Sequence, residues 1–133
     1  MTPPGRVLLV EDDAAIRNLV VEILTDEGYD VVAAPDAATA LTLVHPPCHW
    51  RPDLLLLDVY LPGMDGTAFA RAYQRLPVRH APIVLLTSAS ATAAAGHAEE
   101  IGATGFLLKP FDLDALVATV RQYAAESRRT RAP

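Results

Sequence analysis

The segment LLLLDVYLPGMDG, residues 54–66, runs four leucines directly into Asp58 and then turns through proline and glycine. An apolar run of this length, closed by turn residues, is typical of a strand that is buried on both faces. A carboxylate at the end of such a strand requires a partner, because acidic side chains are rarely buried unless they are paired. The partners should come from the ends of the neighbouring strands.

Other short apolar runs share this form, and segments with the 3.6-residue period of helices separate them. The first helical segment lies between Asp13, a predicted N-cap, and Gly28, a predicted stop. Five strands that are apolar on both faces, each followed by a helix, predict an α/β domain with a doubly wound, five-stranded parallel sheet and five flanking helices. The predicted strands are Val7–Val10, Tyr29–Ala33, Leu54–Leu57, Ile83–Leu86 and Gly105–Leu108.

The apolar positions of the helices predict which face of each one is buried. Further helices are predicted after Asp36, near Asp65, over Ala91–Ile101 and after Asp112. The fourth helix is mostly alanine, so it should present methyl groups rather than large side chains to the core. The residues predicted to point inward are Ile16, Leu19, Val20, Ile23 and Leu24 in the first helix, Phe69, Ala72, Tyr73 and Leu76 in the third, and Leu113, Leu116, Val117 and Val120 in the last.

Length and composition limit the classes of function. The chain has 133 residues, 51% of them hydrophobic, which predicts a single domain over residues 1–133 with a core at about 6–125 and a short polar tail at 126–133. A net charge of −5 repels nucleic-acid phosphates, so we expect no direct nucleic-acid partner. The single Cys48 leaves no internal disulfide, and the run Val7–Val10 is too short for an export or membrane segment. We therefore expect a cytoplasmic location without membrane contact.

Polar residues follow four of the five predicted strands, and the carboxyl ends of parallel strands are where such folds bind ligands. Glu11 and Asp12 follow the first strand, Asp58 the third, Thr87 the fourth and Lys109 the fifth. Three carboxylates about 5 Å apart would repel by roughly 3 kcal/mol per pair at an effective dielectric constant of about 20. The cluster therefore needs raised pKa values or a cation, and hard oxygen ligands suit Mg²⁺ or Mn²⁺.

These side chains together describe a site for phosphoryl transfer. Lys109 supplies a positive charge to phosphate oxygens, and the Thr87 hydroxyl supplies a neutral donor. Asp58 is the predicted nucleophile, because an aspartyl phosphate is an established kind of covalent intermediate. The metal and the lysine would neutralise the charge that develops on the transferring oxygens.

The same segments closely resemble the receiver domains of two-component response regulators, the chemotaxis-regulator-like superfamily. The resemblance covers the chain from about Arg6 to about Ala125, and the order and spacing of the segments make it specific. It implies a flavodoxin-like fold with strand order 2-1-3-4-5. The segments are Val7–Asp12 (VLLVED), Leu56–Gly66 (LLDVYLPGMDG), Leu86–Ser88 (LTS) and Gly105–Phe111 (GFLLKPF).

The resemblance implies a metal site among the acidic residues. Asp58 would be the phosphoacceptor and, together with Asp12, a direct ligand of the metal. Glu11 would act through water, and the backbone carbonyl of Tyr60 would complete the protein ligands.

The resemblance also implies a switch. Thr87 would be the switch hydroxyl, Phe106 the switch aromatic and Lys109 the clamp on the phosphoryl charge, joined to Pro110 by a cis bond. Phosphate on Asp58 would draw Thr87 toward it, and Phe106 would turn inward. The surface of the fourth helix, fifth strand and fifth helix would then change, with the fourth helix moving most because small residues anchor it.

Partners follow from the same resemblance. A sensor histidine kinase or a histidine phosphotransfer protein would donate the phosphoryl group, and a downstream protein effector would read the switch. The domain would catalyse only its own phosphorylation and slow autodephosphorylation, as a monomer or a weak phosphorylation-dependent dimer. It is either a stand-alone regulator or the receiver of a longer DNA-binding regulator or hybrid kinase.

Two groups of residues have a simpler interpretation. Asp13 is one acid more than the metal site needs, so it is assigned to capping the first helix and to an i, i+4 contact with Arg17. His45, Cys48 and His49 in the HPPCHW loop lack a fourth ligand and any recurring zinc spacing, so we predict no zinc site there.

Three other functions compete with this one. A haloacid-dehalogenase-like enzyme resembles a pattern with Asp-x-Asp after the first strand, whereas the nucleophile here follows the third. A flavodoxin-like electron carrier would bind a flavin phosphate where this chain has Glu-Asp-Asp, which would repel it. A phosphorylation-independent pseudo-receiver normally lacks the Asp, Thr or Lys that this chain retains.

Overall fold

The computed structural model describes residues 5–47, 50–61, 63 and 65–131, with side chains up to residue 127 of those ranges. Strands and helices alternate along it. The strands are β1 (Arg6–Val10), β2 (Asp30–Ala34), β3 (Leu54–Asp58), β4 (Ile83–Thr87) and β5 (Gly105–Leu108). The helices are α1 (Ala14–Asp26), α2 (Ala37–Val44), α3 (Gly66–Gln74), α4 (Ala91–Ile101) and α5 (Leu113–Arg131).

The strands form one parallel sheet in the order β2-β1-β3-β4-β5. The predicted doubly wound α/β fold and its strand order are therefore confirmed. Each strand lies within one residue of its predicted range, and β3 and β4 each extend one residue further, to Asp58 and Thr87. Strand hydrogen bonds rather than a loop thus position both of these polar residues.

Side chains of the sheet alternate between two apolar layers. One layer is covered by α2, α3 and α4, and the other by α1 and α5. Because the central strands are buried on both sides, their sequences are continuously apolar rather than alternating. In β1 and β3, Leu8, Val10, Leu55 and Leu57 belong to the first layer, and Val7, Leu9, Leu54 and Leu56 to the second.

Two leucines that were predicted to point inward are exposed instead. Leu19 of α1 is 44% exposed and Leu113 of α5 is 42% exposed. The buried face of α1 is centred on Val20 and Leu24, so Leu19 lies beyond its edge. Leu113 is on the inward side of α5 but in its first turn, ahead of Leu116, the first fully buried residue of that helix. The other residues predicted to point inward are buried or half-buried.

Acidic side chains cap α1, as predicted, and also α2, α3 and α5, whereas Ser90 caps α4. Asp13, Asp36 and Asp65 each accept a hydrogen bond from the backbone N–H three residues later, at 3.0, 2.7 and 2.8 Å. Asp112 accepts one from the backbone N–H two residues later, at 2.9 Å. These bonds satisfy amides that have no partner inside a helix. Gly28, with φ of 96°, follows the end of α1 in the left-handed region, which confirms its predicted role.

α4 is anchored by small apolar groups and by polar contacts from α3. Gln74 donates from Nε2 to the backbone carbonyl of Ile101 at 3.1 Å, and Arg71 lies 3.7 Å from Glu100. The exposed ion pair contributes little because water screens it, so Gln74 provides the firmer polar contact. The prediction that α4 buries small residues is confirmed at Ala94 and Ala98, whereas Ile101 at the end of the helix buries a large side chain.

The last helix is longer than the predicted core. α5 continues to Arg131, so residues 126–131 of the predicted polar tail have helical backbone. Across the ranges that the structure describes, no helix has both the length and the hydropathy needed to cross a membrane.

Gly66 begins α3 against the strand end that carries Asp58. A Cβ at this position would lie 2.9 Å from the backbone oxygen of Asp58 and 2.9 Å from Cα of Val59. At Gly96, inside α4, no atom lies within 4 Å of an added Cβ. The first glycine is therefore required by a close backbone approach, whereas the second is not.

We expect Gly66→Ala to lower the free energy of unfolding by about 1–3 kcal/mol, because the backbone must shift to admit the methyl group. Gly96→Ala is the matched control and should raise it by about 0.5–1 kcal/mol, because alanine favours a helix. Urea denaturation followed by circular dichroism measures both changes. Equal effects at the two positions would contradict the close approach at Gly66.

Candidate functional site

Three carboxylates meet where β1 and β3 end side by side. Val10 of β1 pairs with Leu57 of β3, so Glu11 and Asp58 follow at adjacent positions. Together with Asp12, they place one carboxylate oxygen each within 4.8 Å of one another. Glu11 is 0% exposed and Asp58 is 5% exposed, whereas Asp12 is exposed. The predicted convergence of the acidic residues is confirmed, and solvent reaches the cluster at Asp12.

Lys109 brings a positive charge into this acidic cluster. Its Nζ lies 2.5 Å from Oε1 of Glu11 and 3.2 Å from Oδ2 of Asp58. The contact with Asp58 is a hydrogen bond. The contact with Glu11 is an ion pair, and Oε1 is buried with no hydrogen-bond partner among the described residues. The Lys109 N–H donates to the carbonyl of Thr87 at 2.7 Å, and the bond to Pro110 is cis, as predicted.

A single lysine does not balance the charge of the cluster. Burial raises the pKa of Glu11 from its ordinary 4.5 to about 7, although Lys109 opposes the change. Burial lowers the pKa of Lys109, but the bond to Glu11 and the charge of Asp58 outweigh it and leave that pKa raised. The two shifts disagree, since one favours a neutral carboxyl and the other a charged pair. Because Glu11 is fully buried while the Lys109 side chain is 15% exposed, burial is the dominant influence at Glu11 and raises the pKa of that carboxyl, while Lys109 stays charged.

Asp58 is held by the backbone as well as by the lysine. Its Oδ1 accepts a hydrogen bond from the N–H of Tyr60 at 3.1 Å, so each carboxylate oxygen has a donor. The Tyr60 side chain, 57% exposed, meets the imidazole of His97 on α4 edge to face, with ring centroids 5.9 Å apart. This contact was not predicted. The spacing of His97 from Ala94 and Ile101 was the signal that it lies near the buried face of α4.

Thr87 and Phe106 occupy different environments. Thr87 ends β4, one residue beyond the position that pairs with Asp58, and is fully buried. Its Oγ1 accepts a hydrogen bond from the N–H of Ala89 at 3.1 Å, which leaves the hydroxyl proton available for donation. Phe106 pairs with Leu85 and packs, half-buried, on the layer covered by α2, α3 and α4. Thr87 therefore lies at the edge of the acidic cluster, and Phe106 lies in the apolar packing beside it.

The loop after β1 gives its three consecutive acids different roles. Asp13 caps α1, and its N–H donates to Oε2 of Glu11 at 3.1 Å. The predicted contact between Asp13 and Arg17 is wrong, because the guanidinium donates instead to the backbone carbonyls of Glu11 and Asp12, at 3.0 and 3.3 Å. The physical reason is that the Asp13 carboxylate already binds a helix amide, whereas these carbonyls at the strand end attract a donor.

The donor set fits a hard divalent cation. Every side chain of the cluster offers carboxylate oxygens, which Mg²⁺ and Mn²⁺ prefer, and Oε1 of Glu11 is buried without a hydrogen bond from any residue that the structure describes. Asp12 and Asp58 would hold the ion directly, with the backbone carbonyl of Tyr60. Glu11 already contacts Lys109 and the amide of Asp13, so it would act through water.

The HPPCHW loop supplies no second cluster among the residues that the structure places. Cys48 and His49 lie outside the described residues, and His45 contacts the backbone carbonyl of Pro46 through Nδ1 at 2.7 Å. Trp50, the last residue of this loop, is half-buried against the layer of α2, α3 and α4, and its Nε1 donates to Asp30 at 3.4 Å.

Known proteins are similar to this chain in both sequence and fold. The sequence pattern of the family described as Response regulator receiver domain matches residues 7–121. In Mycobacterium tuberculosis, a protein named DNA-binding response regulator MtrA is 39% identical over 116 residues, which are 87% of this chain and 49% of that protein. The chain thus spans about half the length of this relative.

Two solved structures extend the similarity to three dimensions. Chemotaxis response regulator CheY4 of Vibrio cholerae has a TM-score of 0.80 and 32% identity, covering 90% of this chain and 98% of its own. NtrX from Brucella abortus has a TM-score of 0.83 and 31% identity, covering 96% of this chain and 28% of its own. The predicted flavodoxin-like fold is confirmed by these similarities.

The raised pKa of Glu11 predicts pH-dependent stability in the metal-free protein. The folded state keeps the Glu11 proton up to about pH 7, whereas the unfolded chain releases it near 4.5. Between these values the folded state binds more protons, so this residue lowers the free energy of unfolding as pH rises. Glu11→Gln, which never ionises, removes that contribution.

We expect Glu11→Gln to become progressively more stable than wild type between pH 4.5 and about 7, by at most about 3 kcal/mol. Urea denaturation at several pH values with a chelator measures the difference. Glu22→Gln, which removes an exposed carboxylate from α1, is the control and should show no such trend. A difference for Glu11→Gln that does not vary with pH would mean that Lys109 keeps Glu11 ionised.

Proposed function

The chain belongs to the response regulator receiver domain family of two-component systems, and we propose that it accepts a phosphoryl group on Asp58 with Mg²⁺ or Mn²⁺. The observation that carries this proposal is the environment of Asp58. One carboxylate oxygen binds the Tyr60 amide and the other binds Lys109, within a cluster of acidic residues. A carboxylate oriented in this way is suited to be a nucleophile once a cation offsets the neighbouring charge.

The phosphoryl donor would be the phosphohistidine of a sensor histidine kinase or a histidine phosphotransfer protein. An oxygen of Asp58 forms a bond to phosphorus as the bond between phosphorus and the imidazole nitrogen breaks, and the imidazole keeps that electron pair. A bound divalent cation supplies charge neutralisation at the transferring oxygens.

Lys109 and Thr87 complete the binding of the phosphoryl group. Nζ of Lys109 already lies 3.2 Å from Asp58, so it can contact an oxygen of the group attached there after a small movement. Thr87 has its hydroxyl proton available and can donate it to another phosphoryl oxygen. Both contacts are charge-assisted in a buried site, where they are stronger than in water.

The domain would modify itself rather than turn over an external substrate. Water would release the phosphoryl group slowly, because Asp58 is 5% exposed. We therefore propose that it catalyses its own phosphorylation and slow autodephosphorylation, and that the phosphorylated state is a signal.

The output surface would be α4, β5 and α5. Donation from Thr87 to the phosphate would pull the end of β4 inward, and Phe106 would fill the space that opens. Phe106 is half-buried against the layer that includes Ala98 and Ile101 of α4, which supports a change that reaches that helix. A protein effector would read the altered surface, with the domain a monomer or a weak phosphorylation-dependent dimer.

The activity of the whole protein is a further proposal. The chain spans 49% of MtrA, which is named a DNA-binding response regulator, so a receiver that controls a DNA-binding segment is one arrangement and a stand-alone regulator is another. The acidic charge of this chain still disfavours nucleic-acid contact by the receiver itself. A cytoplasmic location is proposed in both arrangements, since the kinase would phosphorylate it there.

Phosphorylation should require Asp58. Acetyl phosphate with Mg²⁺ should add one phosphoryl group to the wild type and none to Asp58→Asn, because the amide lacks a nucleophilic oxygen. Intact-mass spectrometry measures the addition. Asp65→Asn is the matched control, since it makes the same change at a helix cap and should be labelled fully. Labelling of Asp58→Asn at the wild-type level would contradict the assignment and favour a phosphorylation-independent module.

Asp12 and Asp13 should differ in their effects. Asp12→Ala should abolish Mg²⁺ binding and should not lower the free energy of unfolding of the metal-free protein, because it removes an exposed carboxylate that repels Glu11 and Asp58. Asp13→Ala should retain Mg²⁺ binding and lower the free energy of unfolding by about 1 kcal/mol, because a helix cap is lost. Titration calorimetry and urea denaturation measure the two quantities. The reverse result would place the metal ligand one residue later.

A further inference from the structure

Tyr60 contacts both the acidic cluster and α4. Its N–H binds the phosphoacceptor Asp58, and its ring meets the imidazole of His97. We propose that this ring contact couples divalent-metal binding at the acidic cluster to the order of α4, by a route that does not pass through Thr87 and Phe106. The inference rests on the metal site of the proposed function.

The backbone of Tyr60 would be fixed at two points when the metal is bound. Its N–H donates to Oδ1 of Asp58 at 3.1 Å, and its carbonyl is a proposed metal ligand. The side chain is 57% exposed, so Tyr60 itself gains little by burial. Its ring is therefore held by the direction of the backbone and by the contact with His97.

The His97 side of the contact depends on packing alone. The two rings meet at 84° with centroids 5.9 Å apart, which is an edge-to-face arrangement. Among the residues that the structure describes, Nδ1 of His97 is buried without a hydrogen-bond partner. The gain from an edge-to-face contact and the cost of an unpaired buried nitrogen are comparable in size. The free energy of forming the ring contact is therefore close to zero. A ligand can then readily shift the populations of the formed and the broken contact.

Metal binding would shift this balance toward the contact. An ion that holds the Tyr60 carbonyl restricts the loop before His97 is engaged, so less conformational entropy remains to be lost when the rings pack. α4 responds readily because its buried residues ahead of Ile101 are small, namely Ala94 and Ala98. We therefore expect the metal-bound protein to have a more ordered α4.

The metal alone distinguishes this route from the phosphate switch. Thr87 responds to a phosphoryl oxygen, which Mg²⁺ without a phosphodonor does not provide. A response of α4 to Mg²⁺ alone therefore cannot arise from a phosphoryl group at Thr87, and the variants of His97 show whether it arises from the ring contact. Because coupling between two sites is reciprocal, the loss of the His97 ring must weaken Mg²⁺ binding by the same factor as it weakens the ordering of α4.

The test is hydrogen exchange of residues 91–101 at fixed pH with and without saturating Mg²⁺, combined with calorimetric titration of Mg²⁺. In the wild type, Mg²⁺ should slow exchange in this segment. In His97→Ala the slowing should disappear, and the Kd for Mg²⁺ should rise by about two- to tenfold. His97→Phe keeps a ring and should retain both properties. Glu99→Ala, which truncates an exposed side chain of the same helix, is the matched control and should behave as wild type.

Several outcomes would overturn the link. Wild-type protein that binds Mg²⁺ without any change at residues 91–101 refutes it while leaving the proposed function intact. If Mg²⁺ slows hydrogen exchange in His97→Ala as much as in the wild type, the ring contact is not the cause. The same conclusion follows if Mg²⁺ no longer slows exchange in His97→Phe or in Glu99→Ala. Failure of the wild type to bind Mg²⁺ refutes both the link and the proposed metal site. If His97→Ala does not fold by circular dichroism, Tyr60→Ala replaces it, and retained slowing there refutes the link.

Discussion

An excess of negative charge at one edge of the sheet is the constraint on which the rest of the structure depends. The cluster of Glu11, Asp12 and Asp58 faces a single lysine at contact distance. In a site of low dielectric constant this arrangement is stable only if each carboxylate either accepts a hydrogen bond or is neutralised by a proton or a cation. The amides of Asp13 and Tyr60 supply such donors, and burial raises the pKa of Glu11 so that this carboxyl loses its charge more readily. The leucine-rich strands beneath supply the rigidity that keeps these groups together despite their repulsion.

The fold and the membership of the site follow from sequence because parallel-sheet geometry maps distant positions onto one edge. The apolar runs place Glu11, Asp58, Thr87 and Lys109 at strand ends, and the order of the strands then makes those ends neighbours. The edges of the buried face of a helix could not be predicted from the sequence in the same way. Leu19 satisfied the helical period and is nevertheless exposed, because the period gives a direction around the helix axis and not the width of the surface that covers it.

Contacts that depend on competition between partners could not be predicted in the same way. Arg17 had an acidic residue one turn away, yet it donates to the carbonyls of Glu11 and Asp12. Tyr60 lies in a loop, where no periodicity fixes the direction of a side chain, so its contact with His97 emerges only from the packing of α4 beside that loop. The raised pKa of Glu11 is similar, since it results from full burial rather than from residue type.

The bond from Gln74 to the last carbonyl of α4 has a geometric consequence. A helix tied at one end pivots there, so it tilts instead of sliding along the sheet. α4 has 11 residues, and at about 1.5 Å per residue its first residue lies roughly 15 Å from Ile101, so a tilt of about 10° displaces that end by roughly 3 Å. The pivot itself stays almost still. A partner that bound only near Ile101 would therefore contact a surface that hardly moves. A partner that bound the first turn of α4 would contact the part of the helix with the largest displacement.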